Sequence, residues 1–187
     1  MKLISRVTNR DMGRILFTLA DARKWQQRAD FLEGFPWLSV TWYKVERLEV
    51  AEFEHLYLRW DGVAWGKPGE LPRRLKDGTQ EFMDMGAEHI ARPHFGYLQD
   101  ILEQRDLYRA GHADEKKPFL IVVARDVQGP FMILEGNHRA VAAQWCATES
   151  GKQDSIPRHA WMGLSPRMGD YRDYQHVLDA AKKARGQ

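Results

Sequence analysis

The chain predicts an α+β domain in which a small sheet is flanked by helices, and three observations carry that expectation. Two runs, FLIVVAR from Phe119 to Arg125 and FMILE from Phe131 to Glu135, are apolar on both faces up to their charged last residue, and a Gly-Pro turn separates them. Such runs make a hairpin buried on both sides. Amphipathic segments with apolar residues three and four apart stand before and after the hairpin, which calls for helices covering the sheet. The 187 residues, 43% hydrophobic and 29% charged, are enough for one sizeable core.

Taken in order, Thr8 or Asn9 is suited to cap a first helix whose apolar positions Met12, Ile15, Leu16, Leu19, Ala22 and Ala29 carry it toward Gly34 and Pro36. TWYKVERLEVAEF, from Thr41, mixes β-branched and aromatic residues with charges and predicts a strand with one wet face. RWDGVAWGKPGELPRRLKDGTQ is rich in glycine, proline and charge, and predicts a long loop or hairpin. From Pro93, Phe95, Leu98, Ile101, Leu102 and Leu107 fall at helical spacing. After the central hairpin comes a helix from Asn137, with Val141, Trp145 and several alanines, that stops at Gly151. RHAWMGLS, from Arg158, is a further strand. YRDYQHVLDAAKKARGQ closes the chain as a helix whose Lys182, Lys183 and Arg185 suit a C-terminal dipole. Residues 1–40 are accordingly expected as a helical extension and residues 41–187 as the domain proper.

The net charge of +2, from 28 basic and 26 acidic side chains, gives no global case for a polyanion partner. One cysteine, Cys146, excludes an internal disulfide framework and suits a reducing compartment, so the cytoplasm is expected. No targeting segment is expected, since ILFTLA is far too short to span a membrane. The chemistry gathers at the strand-to-helix junction Glu135-Gly136-Asn137-His138-Arg139. Asn137 is placed to cap the following helix, and Gly136 lets the backbone approach a ligand closely. The amides around His138 and Arg139 then face an anion, with the helix dipole in support. Arg139 offers a forked contact to phosphate oxygens, His138 donates a hydrogen bond or shuttles a proton, and Glu135 supplies a carboxylate for magnesium or a hydroxyl. The same residues also suit an ordinary capped junction, with Arg139 paired to an acid.

The run FLIVVARDVQGPFMILEGNHRAVAAQW, followed by RHAWMGLS, resembles the ParB/sulfiredoxin superfamily, in which a strand hairpin leads into a glycine-containing basic motif, a helix and a further strand. The likeness covers roughly Val45 to Leu164, and its specific part is Phe119 to Trp145. It implies a small mixed sheet flanked by helices, with the first helix as an addition. It also implies nucleotide binding, with Gly136, Asn137, His138 and Arg139 at the phosphates. Sulfiredoxins carry a catalytic cysteine where this chain has Asn137, and ParB proteins usually carry arginine where it has His138. The Asp-Gly-His-His-Arg motif of the free serine kinases resembles Glu135 to Arg139 more closely. That branch implies a magnesium-dependent phosphotransferase or nucleotide hydrolase using ATP or CTP on an unidentified acceptor, with Glu135 and His138 catalytic and Glu135 at the metal. It also implies a carboxylate near the first strand, for which Glu49, Glu52 and Glu54 are candidates, Glu52 being carried as the catalytic one.

Other constellations give alternatives. His89 and His94 do not have a recognised metal-ligand spacing. Arg73, Arg74 and Lys76 form a basic stretch that either contacts nucleic acid or is a solvated face. Trp60 and Trp65 either stack on a base or cover the hairpin. Together with the basic tail near Lys182 they support the alternative of a DNA-associated binding module or nuclease, phage- or plasmid-encoded, with a nucleotide as its switch. None of the serines lies in a nucleophile elbow.

Overall fold

A computed structural model describes residues 2–19, 33–59, 71–86, 99–111, 120–153 and 159–186. The strands are β1 (Leu3–Val7), β2 (Thr41–Val45), β3 (Leu120–Ala124), β4 (Met132–Glu135) and β5 (Ala160–Leu164). The described helices are α1 (Asn9–Leu19), α2 (Val50–Glu54), α3 (Leu75–Met85), α4 (Gln99–Arg109), α5 (Asn137–Ser150) and α6 (Arg172–Ala184). The five strands form one open mixed sheet in the order β1-β2-β5-β3-β4, with β3 and β5 parallel and the other neighbours antiparallel. The α+β class expected from the sequence is what the chain forms.

The central hairpin is buried on both faces because successive strand residues point to opposite sides. Leu120, Val122 and Ile133 enter one core with Val45, Phe53, Leu75, Phe82, Ile101 and the alanines of α5. Ile121, Val123, Met132 and Leu134 enter a second core with Met12, Trp42, Tyr171, Tyr174 and Val177. Helices α2 to α5 therefore cover one face, and α1 and α6 the other. Every residue of α5 from Ala140 to Ala147 is buried, as befits a helix packed on the sheet and against both α3 and α4.

Several expectations need correction. The strand from Thr41 ends at Val45, and Val50–Glu54 is a short helix. A capping box starts it: the Glu49 amide donates to Glu52 Oε2 at 3.0 Å while the Glu49 side chain accepts from the Glu52 backbone. The predicted loop ends before Leu75, where α3 begins, with Leu75, Gly78, Thr79 and Phe82 buried at helical spacing. Residues 60–70 of that stretch lie outside the described residues, as do Trp60 and Trp65.

The first helix is capped by Thr8, whose Oγ1 accepts from the Asp11 amide at 3.1 Å, and its predicted course over residues 20–32 lies outside the described residues. The N-terminal segment expected as a helical extension also supplies the edge strand β1, paired antiparallel to β2 with Val7 opposite Trp42. Phe95 and Leu98 fall outside the described residues, and α4 runs from Gln99.

Candidate phosphate site at the start of α5

Gly136 takes the left-handed conformation, φ 96° and ψ 19°, and caps α5 with no side-chain hydrogen bond. This corrects the expectation that Asn137 is the cap. A residue with positive φ turns the chain from β4 into the helix one position earlier, so Asn137 is already helical and its side chain serves elsewhere. Its Oδ1 accepts from the Arg59 amide at 3.1 Å, and its Nδ2 donates to the Ile133 carbonyl at 3.4 Å. The first helical bond runs from the Ala140 amide to the Gly136 carbonyl at 2.9 Å. The amides of residues 137, 138 and 139 therefore stand ahead of the helical ladder, at the positive end of the dipole.

Neighbouring elements converge on this turn. Tyr57 runs beside β4, its amide donating to the Phe131 carbonyl and its carbonyl accepting from the Ile133 amide. Two residues on, the chain delivers Arg59 to Asn137. The Arg59 guanidinium pairs with Asp173 in the first turn of α6, Nε to Oδ2 2.7 Å, with side chains only 13% and 18% exposed. The Tyr171 hydroxyl donates to the same carboxylate oxygen at 3.1 Å, and burial raises its phenol well above the ordinary range. From the other side, Asp100 in the first turn of α4 brings Oδ2 to 3.3 Å from His138 Nδ1. Glu135, His138 and Arg139 are all half-buried at the junction.

The sequence-predicted residues divide in two. Glu135, Gly136, Asn137, His138 and Arg139 share one turn. Glu52 is engaged in the capping box of α2. Glu54, 12% exposed, lies against the body of α5, two turns along from Asn137. It accepts from Gln144 Nε2 at 3.3 Å and Gln153 Nε2 at 3.1 Å, with Lys76 Nζ 3.6 Å away. Arg59, Asp100, Tyr171 and Asp173 were not anticipated. The partners that bring Arg59, Asp100 and Asp173 to the site lie tens of residues away in sequence, and Tyr171 enters only through its neighbour Asp173, so no local pattern marks them.

The basic stretch is engaged within the fold. Arg73 Nε lies 2.6 Å from Glu81, Arg74 stacks 5.9 Å above the Tyr57 ring, and Lys76 faces Glu54. Among the described residues there is no group of three or more His, Cys, Asp or Glu placed to hold a metal, and no helix long and apolar enough to cross a membrane. His89 and His94 lie outside the described residues. Cys146 is 7% exposed, and burial pushes its thiol up, which makes it a core residue of α5 rather than a ready nucleophile. No family model, curated protein or solved structure matches the chain.

Proposed function

We propose that this is a nucleotide-binding protein of ParB/sulfiredoxin-like fold that acts, in the cytoplasm, as a magnesium-dependent phosphotransferase or nucleotide hydrolase. The observation that carries the reading is the left-handed Gly136 at the start of α5. It sets three amides ahead of the helical ladder on the turn that also bears His138 and Arg139. An anion is favoured there by the amides and the helix dipole together. In this reading the turn from Gly136 to Arg139 binds the phosphates of ATP or CTP, and Arg139 neutralises charge that builds in the transition state.

In this reading a magnesium ion arrives with the nucleotide, takes one or two protein carboxylates and completes its shell with phosphate oxygens and water, and Glu135 at the end of β4 would be its protein ligand. The ion's contribution is neutralisation of phosphate charge. Glu52 is the further catalytic carboxylate of this reading, and it would have to leave its cap to act.

Turnover of ATP or CTP is expected in the full chain and is expected to be lost in Arg139→Ala and in His138→Ala. Unchanged rates in both variants would remove the mechanism. The DNA-associated alternative draws on Arg73, Arg74 and Lys76, each of which has a partner within the fold. A DNA affinity that falls steeply with salt, in a protein that ignores nucleotides, would favour it instead.

A further inference from the structure

We infer that Asp100 is the positioning residue of His138, and that it makes His138 the proton acceptor of the transfer reaction. Three side-chain pairs tie α4 to α5: Asp100 with His138, Arg105 stacked 5.0 Å from the Trp145 ring, and Arg109 with Glu149. Their sequence offsets are 38, 40 and 40 positions, nearly constant. The two helices therefore run parallel, and their N-termini lie side by side. The Arg105 and Arg109 contacts fix the register, and that register carries Asp100 to the first turn of α5.

The chemistry follows from the atoms that meet. A carboxylate is acceptor-only, so a neutral imidazole facing it at Nδ1 carries its proton on that nitrogen and leaves the Nε2 lone pair as the acceptor. With its side chain 50% exposed, Asp100 acts chiefly by holding the ring and its tautomer, and solvent screens its charge on the imidazolium. On the functional reading above, His138 Nε2 takes the proton of the acceptor hydroxyl or water as that oxygen bonds to the terminal phosphorus of the nucleotide. The bond from phosphorus to the bridging oxygen breaks, and its electron pair leaves with the nucleoside diphosphate. This narrows the role of His138: it removes a proton from the nucleophile rather than giving one to the phosphate.

The pairing rests only on the geometry of α4 and α5, whereas the transfer step rests on the proposed nucleotide chemistry, and the experiment separates the two. Imidazole ¹⁵N shifts of the full chain are recorded without nucleotide at a pH where His138 is neutral, with its resonances assigned by their loss in His138→Ala. The Nδ1–H tautomer is expected in the wild type and is expected to give way to the Nε2–H tautomer in Asp100→Ala. A wild type already in the Nε2–H form, or a tautomer indifferent to Asp100→Ala, overturns the pairing.

With ATP or CTP, Asp100→Ala is expected to lower kcat at least about tenfold, the smaller part of what general-base catalysis contributes. KM for the nucleotide should hold within about twofold, because the phosphate contacts of Gly136 and Arg139 remain. A tautomer change without loss of kcat overturns the positioning role. Absence of turnover in the wild type overturns the functional reading and the transfer step with it, and the tautomer alone then upholds or overturns the Asp100 pairing.

Discussion

Gly163 has no room for a methyl group. A Cβ there would lie 2.6 Å from Trp42 Cζ3 and 2.8 Å from Val40 Cγ1, because Gly163 is the cross-strand partner of Trp42 in the β2–β5 pair and the indole lies over it. Gly163→Ala is expected to cost about 1–3 kcal/mol, the usual range for overpacking a core, read as a lower denaturant midpoint at unchanged m-value. Gly169→Ala, with nothing nearer than 3.7 Å, is the matched control and should be near neutral.

Gly136 is constrained by its backbone instead. At φ 96° an alanine carries strain of about 1–3 kcal/mol, and relieving it would turn the first amides of α5. Gly136→Ala is expected both to lower stability and to abolish nucleotide-dependent stabilisation, whereas Gly163→Ala should affect stability alone. Glu135 to Arg139 were legible as a group because they are contiguous and the strand-to-helix change is written into their spacing. Arg59 and Asp173 were not, since one is 78 positions from Asn137 and the other 114 from Arg59.

At the scale of elements, the missed helices show what local reading weighs wrongly. Leu75, Thr79 and Phe82 already had helical spacing, but Pro72 and Gly78 argued for a loop. Burial of that face against α5 outweighs the roughly 1 kcal/mol that a mid-helix glycine costs. In α2, the apolar residues beyond Val45 suit a continuing strand as well as a helix, and the glutamate capping box decides between them. Strand β1 left little to read because its residues are exposed or only half-buried, so no buried alternation marks it. The central hairpin was legible because two short runs apolar on both faces, joined by a short connection with a Gly-Pro step, fit the middle of a sheet and little else.

The α4–α5 pair carries its own pH prediction. Burial alone would raise the Glu149 carboxyl, but the Arg109 guanidinium and the Trp145 indole N–H hold it below its ordinary 4.5. A carboxyl lowered on folding contributes stability that is complete above the ordinary value and is lost as pH falls through the folded one. The wild-type urea midpoint should therefore fall more steeply than that of Glu149→Gln as pH drops from roughly 5 to 3.

For the whole molecule, the two cores are joined across the sheet, and the site lies where three helix starts and one strand end meet. The Arg59–Asp173 pair ties that meeting point to α6, with a carboxylate that also receives the Tyr171 hydroxyl. Removing one partner of a mostly buried pair is expected to cost about 3 kcal/mol. Asp173→Ala should then destabilise far more than Asp179→Ala, whose exposed pair with Lys182 is worth at most about 1 kcal/mol. Chemical denaturation of the two variants side by side checks this.

The central claim is that the start of α5 binds nucleotide phosphates, and a thermal-shift titration of the full chain with ATP, ADP, CTP and GTP, with and without magnesium, tests it most directly. At a hundred times its dissociation constant, a nucleotide held there should stabilise the wild type by about 2.7 kcal/mol, and Arg139→Ala should lose that shift. No shift with any nucleotide, or an equal shift in Arg139→Ala, would contradict the account.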